Sequence, residues 1–150
     1  MSSSARLNAL AVGDELPTRA HTPTNVSLFL YNAAVWNPHR IHYDEQYTTQ
    51  IEKHPGIIVD GPLQGDWLAQ CVTNWIASHL ANEATLVHFQ YSNRRAAVLG
   101  ETLTSGGQII AIDLDLDIKP AQGTVTLELF VRNGAGEVIS PGRAVVKMLG

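Results

Sequence analysis

A change of hydrophobic period near Ala84 constrains this chain more than any other feature. Before it, Leu63, Trp67, Leu68, Cys71, Val72, Trp75, Ile76 and Leu80 recur at helical spacing along one wide, aromatic face. After it the period is two: Val87, Phe89, Tyr91; then Ile110, Ile112, Leu114, Leu116, Ile118; then Val125, Leu127, Leu129, Val131; then Ala144, Val146, Met148. Asp60 or Gly61 as cap and Pro62 in the first turn set the start of the helix. A face that broad needs a sheet wrapped around it rather than one neighbouring helix. The expectation is α+β, an antiparallel sheet around a long helix spanning 62–80.

The connections Lys119 to Gly123 and Asn133 to Gly136 are of hairpin length and carry Pro or Gly, which predicts an antiparallel meander. Upstream, an extended segment from Glu15 to Thr22 leads to Thr24. That threonine is placed to cap a short amphipathic helix carrying Val26, Leu28, Phe29, Ala33 and Trp36, stopped by Asn37-Pro38. Residues Asn37 to Gly61 are polar, aromatic and Gly/Pro-punctuated, with three of the six histidines. They predict a long ordered loop with one helical turn around Asp44 to Ile51, and such loops are commonly functional. Asp113, Asp115 and Asp117 share the outer face of the long strand and read as a solvated face that discourages edge pairing rather than as metal ligands.

With 150 residues, the chain is expected to be one domain, 1–150. Only 16% of its residues are charged, against ~25% in typical domains, so part of the surface is expected to be covered by another subunit. A net charge of −4 excludes the basic footprint of a nucleic-acid or anionic-membrane binder. The longest apolar run, Leu28 to Val35, is broken by Asn32 and is too short to span a bilayer. Met1 to Ala11 holds no secretion or transit signal, and the single cysteine, Cys71, excludes an internal disulfide; together these predict a reducing, cytoplasmic location.

The informative text is Asn37-Pro38-His39-Arg40-Ile41-His42-Tyr43-Asp44, followed by His54-Pro55-Gly56-Ile57-Ile58-Val59-Asp60-Gly61-Pro62-Leu63-Gln64. It resembles the MaoC-like hot-dog hydratases, the (R)-specific 2-enoyl-CoA hydratases and 3-hydroxyacyl-thioester dehydratases. Their motif is an Asp, four residues, a His, and later an apolar run ending in His-Gly at the start of the central helix. In particular the chain looks like the subgroup whose loop reads Asn-x-His-Arg-Ile-His-Tyr-Asp and whose helix opens Gly-Pro-Leu-Gln. The resemblance covers nearly the whole chain. It implies a single hot-dog fold, an acyl-CoA substrate, a 3-hydroxyacyl-CoA product, no metal or redox cofactor, and His42 as the catalytic histidine. Two positions depart from the pattern: Asn37 stands where many members have the catalytic aspartate, and Asp60 where they have His.

Adding water across a thioester-conjugated double bond needs a base for the water, a proton donor to the alpha carbon, and donors for an enolate-like oxygen. Imidazole can do both proton jobs. Asn37 cannot take a proton as a carboxylate does, which leaves it to position the water or thioester. Asp60 either restores a carboxylate to the site or caps the helix. The N–H groups of Gly61 and Leu63 are candidate oxyanion donors at the helix N-terminus, whereas Pro62 has none. Arg40 pairs with Asp44 or a carbonyl, or reaches a phosphate; Arg94 and Arg95, after Tyr91-Ser92-Asn93, suit nucleotide phosphates or form a solvated turn pair. His39 orders the loop, Asp66 is polar and near an interface, Cys71 packs in the core, and Trp67 and Trp75 line core or acyl tunnel. Two further readings stay open. One is a hot-dog thioesterase using Asp60 or Asp66 as nucleophile or base. The other is a subunit of a heteromeric MaoC-like hydratase, of the kind serving fatty-acid or steroid side-chain metabolism, that needs a hot-dog partner. A homodimer or higher oligomer is expected in either case.

Overall fold

The computed structural model describes residues 9–80, 83–117 and 122–149. In chain order the elements are β1 (Glu15–His21), α1 (Asn25–Val35), a 3-10 turn at Arg40–His42, a π-helical turn at Tyr47–Ile51, α2 (Gly61–His79), β2 (Ala84–Tyr91), β3 (Leu103–Asp115), β4 (Gln122–Arg132) and β5 (Val138–Met148). The strands form one antiparallel sheet in the order β1-β3-β4-β5-β2. The expected meander therefore holds for β3, β4 and β5 alone. α2 crosses the face of the sheet and carries the chain to the far edge, so β2 pairs with β5 instead of β3.

The inner face of α2, built from Leu68, Val72, Trp75, Ile76 and Leu80, is buried with Leu103 and Ile109 of β3, Val125 to Val131 of β4, and Ala144, Val146 and Met148 of β5. Each such leucine contributes ~1.5–3 kcal/mol by leaving water. The helix approaches β2 closely at Gly65, where a methyl group would overlap the Tyr91 ring. The alternation expected of β4 and β5 is observed residue by residue.

In β2 and β3 the expected phase is interrupted by bulges. Val87 is the extra residue between Leu86 and His88 and is exposed, while Phe89 and Tyr91 turn inward. β3 begins at Leu103, well before the apolar alternation, and its register shifts between Ile109 and Ala111. A bulge moves side chains to the opposite face, so Ile109 rather than Ile110 is buried; beyond it Ile112 and Leu114 pack inward and Leu116 is exposed. Ile118 and most of the Lys119 to Gly123 connection lie outside the described residues. The Asn133 to Gly136 hairpin is present, with Gly136 at φ +81° and Asn133 Oδ1 accepting from the N–H groups of Ala135 and Glu137.

α1 starts where Thr24 and Ser27 cap one another reciprocally, and ends at Trp36 in the left-handed region (φ 55°), before Pro38. Its orientation differs from expectation. Leu28 and Asn32 are its buried residues, whereas Val26, Phe29 and Leu30 are exposed and Trp36 is 89% exposed. One strip of this helix meets the body, and most of its apolar surface faces outward. Asp113, Asp115 and Asp117 are exposed on the outer sheet face. Among the described residues, no helix is long and apolar enough to cross a membrane.

Candidate active site

The loop after α1 is held by its own side chains. His39 N–H donates to Asn37 Oδ1 (3.1 Å), and Tyr43 O–H donates to the Pro38 carbonyl (2.8 Å). Arg40 places Nε and Nη2 on Asp44 Oδ2 (3.1 and 2.7 Å) and lies over the Tyr47 ring. Asp44 Oδ1 accepts from Tyr47 N–H, and that bond, with Arg40, holds the carboxyl below the usual range. Ile58 N–H donates to the Ile41 carbonyl (3.0 Å), tying the 3-10 turn to the segment that leads into α2. His42 is thereby pointed inward.

The His42 ring is buried and hydrogen-bonded at one nitrogen. Nδ1 lies 2.8 Å from the Ile58 carbonyl, and a carbonyl only accepts, so Nδ1 carries the proton. The lone pair of the neutral ring is therefore at Nε2, which faces Asp60 Oδ1 at 3.5 Å. Asp60 has 0% of its surface exposed. A buried carboxylate must be hydrogen-bonded, and two carboxamides supply the bonds: Asn37 Nδ2 donates to Oδ1 (3.1 Å) and Asn32 Nδ2 to Oδ2 (3.0 Å). Asn37 therefore has both ends of its amide engaged, one on Asp60 and one on the His39 backbone.

Asp60 occupies the cap position of α2, yet its side chain does not cap the helix. A capping bond is worth ~1 kcal/mol; here the carboxylate turns toward His42 instead. Among the described residues the N–H groups of Gly61 and Leu63 have no acceptor. The His42–Asp60 pair and a helix terminus whose side-chain cap is missing thus sit one residue apart, and such a terminus favours negative charge. Gly61 is packed by Asn93, whose carboxamide occupies the space a β-carbon would need. Asn93 Oδ1 and Gln64 Oε1 both take the Ser140 hydroxyl (2.9 and 2.7 Å).

Of the residues singled out in the sequence, Asn37, His42, Asp60 and Gly61 come together, with Leu63 in the same first helical turn. Arg40 is turned onto Asp44, and Arg95 onto Glu137 (2.7 Å). Arg94 has no carboxylate partner among the described residues; it lines a cavity of about 360 Å³ beside β1, β3 and β4, away from His42. His39 meets the His42 ring edge-on. Asp66 is exposed and accepts from Tyr31 O–H (2.9 Å); burial, and then that bond and the Asp66 charge, push the Tyr31 hydroxyl's pKa up. Trp75 is in the core, whereas Trp67 is half-buried and stacks on His21.

Sequence reasoning missed Asn32, the Ile58 carbonyl, and the Gln64–Ser140–Asn93 cluster. Asn32 left a trace as the polar break in the apolar run Leu28 to Val35, Gln64 as the end of Gly-Pro-Leu-Gln and Asn93 within Tyr91-Ser92-Asn93, without a role being assigned to any of them. Asn32 Oδ1 is buried without a donor among the described residues. Asn32 and Asn37 form the polar end of an open cavity of about 220 Å³ whose walls are Phe29, Ala33, Trp36, Pro38 and Tyr43.

Residues 5–99 match the family model described as hydroxyacyl-thioester dehydratase type 2. Over 46 residues the chain is 46% identical to mesaconyl-C(4)-CoA hydratase of Chloroflexus aurantiacus, covering 31% of this chain and 16% of that protein. Over 42 residues it is 40% identical to the mitochondrial hydroxyacyl-thioester dehydratase type 2 of Schizosaccharomyces pombe, covering 28% and 14%. The matched stretches are thus a small part of these relatives' length. Among solved structures, an (R)-hydratase from A. caviae superposes with a TM-score of 0.73 at 18% identity, covering 93% of this chain and 98% of that one. A MaoC-like dehydratase from Rhodospirillum rubrum gives 0.75 at 21%, covering 95% and 94%. The ChsH1-ChsH2 complex from Mycobacterium tuberculosis gives 0.75 at 17%, covering 92% and 98%. The architecture is the hot-dog fold.

Proposed function

The chain belongs to the hydroxyacyl-thioester dehydratase type 2 family, and on that premise we propose that it interconverts a 2-enoyl-CoA and the corresponding 3-hydroxyacyl-CoA by addition and loss of water. The observation that carries this reading is the diversion of Asp60: its carboxylate faces His42 Nε2 and leaves the N–H groups of Gly61 and Leu63 without a partner. Both requirements of the reaction, proton transfer and enolate stabilisation, are met within two consecutive residues and the ring that faces them.

In the hydration direction, His42 Nε2 takes a proton from water as the water oxygen bonds to C3. The π electrons move to C2 and the thioester oxygen, where Gly61 N–H receives the developing charge. His42 then returns the proton to C2, and dehydration is the reverse. Asp60, enclosed by Asn32 and Asn37, stabilises the imidazolium that forms between the two steps, and Asn37 positions Asp60. The net change is one water added with no overall oxidation or reduction, so the reaction as proposed needs no redox cofactor, and the steps written here use none and no metal. The apolar cavity between α1 and the loop suits the acyl chain, and Arg94, lacking a carboxylate partner, suits a phosphate of the nucleotide; Arg40 and Arg95 would have to leave Asp44 and Glu137 to do so.

A second reading concerns the assembly. Phe29, Trp36 and Tyr43 are exposed at the cavity mouth, which favours an active unit in which a second copy or another hot-dog chain covers it. Nothing favours a thioesterase: both Asp60 oxygens are held by amides, and Asp66 is engaged by Tyr31. The test is loss of the conjugated enoyl-thioester absorbance with crotonyl-CoA and a bulkier enoyl-CoA. His42→Ala is expected to lower kcat by ~10²–10⁴, the range of general acid–base catalysis. Thiol release with no change at the alkene, or turnover that survives His42→Ala, would overturn the proposal.

A further inference from the structure

We propose that Asn93 is a further catalytic residue of this site, its side-chain amide supplying a second N–H donor to the thioester oxygen beside Gly61 N–H. The inference rests on the hydratase reading and deepens it. Three observations converge on one point. The Asn93 amide nitrogen lies against the Gly61 α-carbon, in the space that any larger residue would fill. Its Oδ1 is committed to the Ser140 hydroxyl, whose single proton is shared with Gln64 Oε1, and this fixes which end of the amide is presented to Gly61. Finally, neither Asn93 Nδ2 nor Gly61 N–H has an acceptor among the described residues.

The two N–H groups without an acceptor at this helix N-terminus among the described residues, those of Gly61 and Leu63, are separated by Pro62, which has none. An oxygen seated at Gly61 N–H without a second donor beside it is poorly held; oxyanion sites ordinarily use paired donors. Asn93 reaches the same spot from the end of β2 and remains exposed to an incoming ligand, while Ser140 and Gln64, both buried, position it. Gly61 has no side chain because Asn93 needs the room.

The experiment uses the full chain and two readouts on each variant. The first is kcat and KM with crotonyl-CoA; the second is the absorption shift of bound 4-(dimethylamino)cinnamoyl-CoA, whose band moves to the red when its thioester carbonyl is polarised. Asn93→Ala is expected to lower kcat by ~10²-fold, the lower end for removal of one oxyanion donor, with KM within a few-fold and the red shift reduced. Asn93→Asp keeps the shape but places an anion beside the oxyanion, and is expected to lose more than Asn93→Ala. Ser140→Ala, which frees Asn93, is expected to fall between Asn93→Ala and wild type. Unchanged kcat and an unchanged red shift in Asn93→Ala would overturn the proposal, as would a loss confined to melting temperature or KM. A wild-type protein that shifts the probe through Asn93 but hydrates no enoyl-CoA would leave the donor assignment standing and overturn the hydratase reading alone; no shift in wild type would overturn the donor assignment.

Discussion

Exchanging the two side chains that meet across the base of the site, Asn37→Asp with Asp60→Asn, tests the hydrogen-bond arrangement directly. In wild type, Asn37 Nδ2 and Asn32 Nδ2 both donate to the Asp60 carboxylate. Asp60→Asn alone offers one oxygen and one NH₂ to two donors, and the mismatched pair costs ~1–3 kcal/mol. Asn37→Asp alone sets a half-buried carboxylate about 3.1 Å from the buried one of Asp60. Their repulsion is about 5 kcal/mol at an effective dielectric of 20, avoidable only by protonating one of them. In the double variant, the carboxamide introduced at position 60 accepts from Asn32 and donates to the carboxylate introduced at position 37, which still accepts from His39 N–H. Every bond is regained. Urea unfolding followed by tryptophan fluorescence should therefore show a favourable coupling of ~2 kcal/mol or more between the two changes. Turnover of crotonyl-CoA should rise above that of Asp60→Asn. Stability losses that simply add, within ~0.5 kcal/mol, would refute the arrangement of donors and acceptors described here.

Three other outcomes are expected. Gly65→Ala should destabilise the fold by ~1–3 kcal/mol through overpacking against the Tyr91 ring; a melting temperature equal to wild type would contradict that contact. Burial, with the charge of Arg19, lowers the His21 pKa from 6.5 to about 4. The unfolded chain therefore binds this proton first, and stability is lost as pH falls from 6.5 toward 4. His21→Gln should flatten the melting-temperature profile in that window, and an equally steep profile would remove His21 as its source. Burial also pushes the Cys71 thiol up to about 11, so labelling by a disulfide reagent at about pH 8 should be much slower than for free cysteine until urea opens the fold; reaction at the free-thiol rate in the native protein would argue against the packing described.

How legible each part was depended on whether side chains or backbone made the contact. α2 announced itself because its core residues recur at helical spacing on both sides of Leu68 and Val72, and β4 because no bulge breaks Val125 to Val131. The first half of β3 was invisible: Gly106 and Gly107 pack as bare backbone against Phe130 and Leu129, which leaves no apolar alternation to read. α1 misled in the opposite sense, since Phe29 and Trp36 have core-like identity and spacing but face outward. His42, Asn37, Asp60 and Gly61 were found through a motif. Asn32 lies 28 residues before Asp60 on a different element, a separation no local spacing rule covers. The Ile58 carbonyl that fixes the His42 tautomer belongs to a backbone whose residue name is irrelevant to its role. Asp60 reads from sequence as either a cap or a participant in the site, and the direction of its side chain, turned onto Asn32 and Asn37, shows that it does not cap the helix.

The anchoring of α1 has a dynamic consequence. This helix is fastened to the body by Leu28, worth ~1.5–3 kcal/mol of burial, and by Asn32, whose amide also holds Asp60. Any displacement of the helix therefore also loosens the carboxylate beside His42. Amide exchange along Asn25–Val35 is expected to follow the hold that Asn32 has on Asp60.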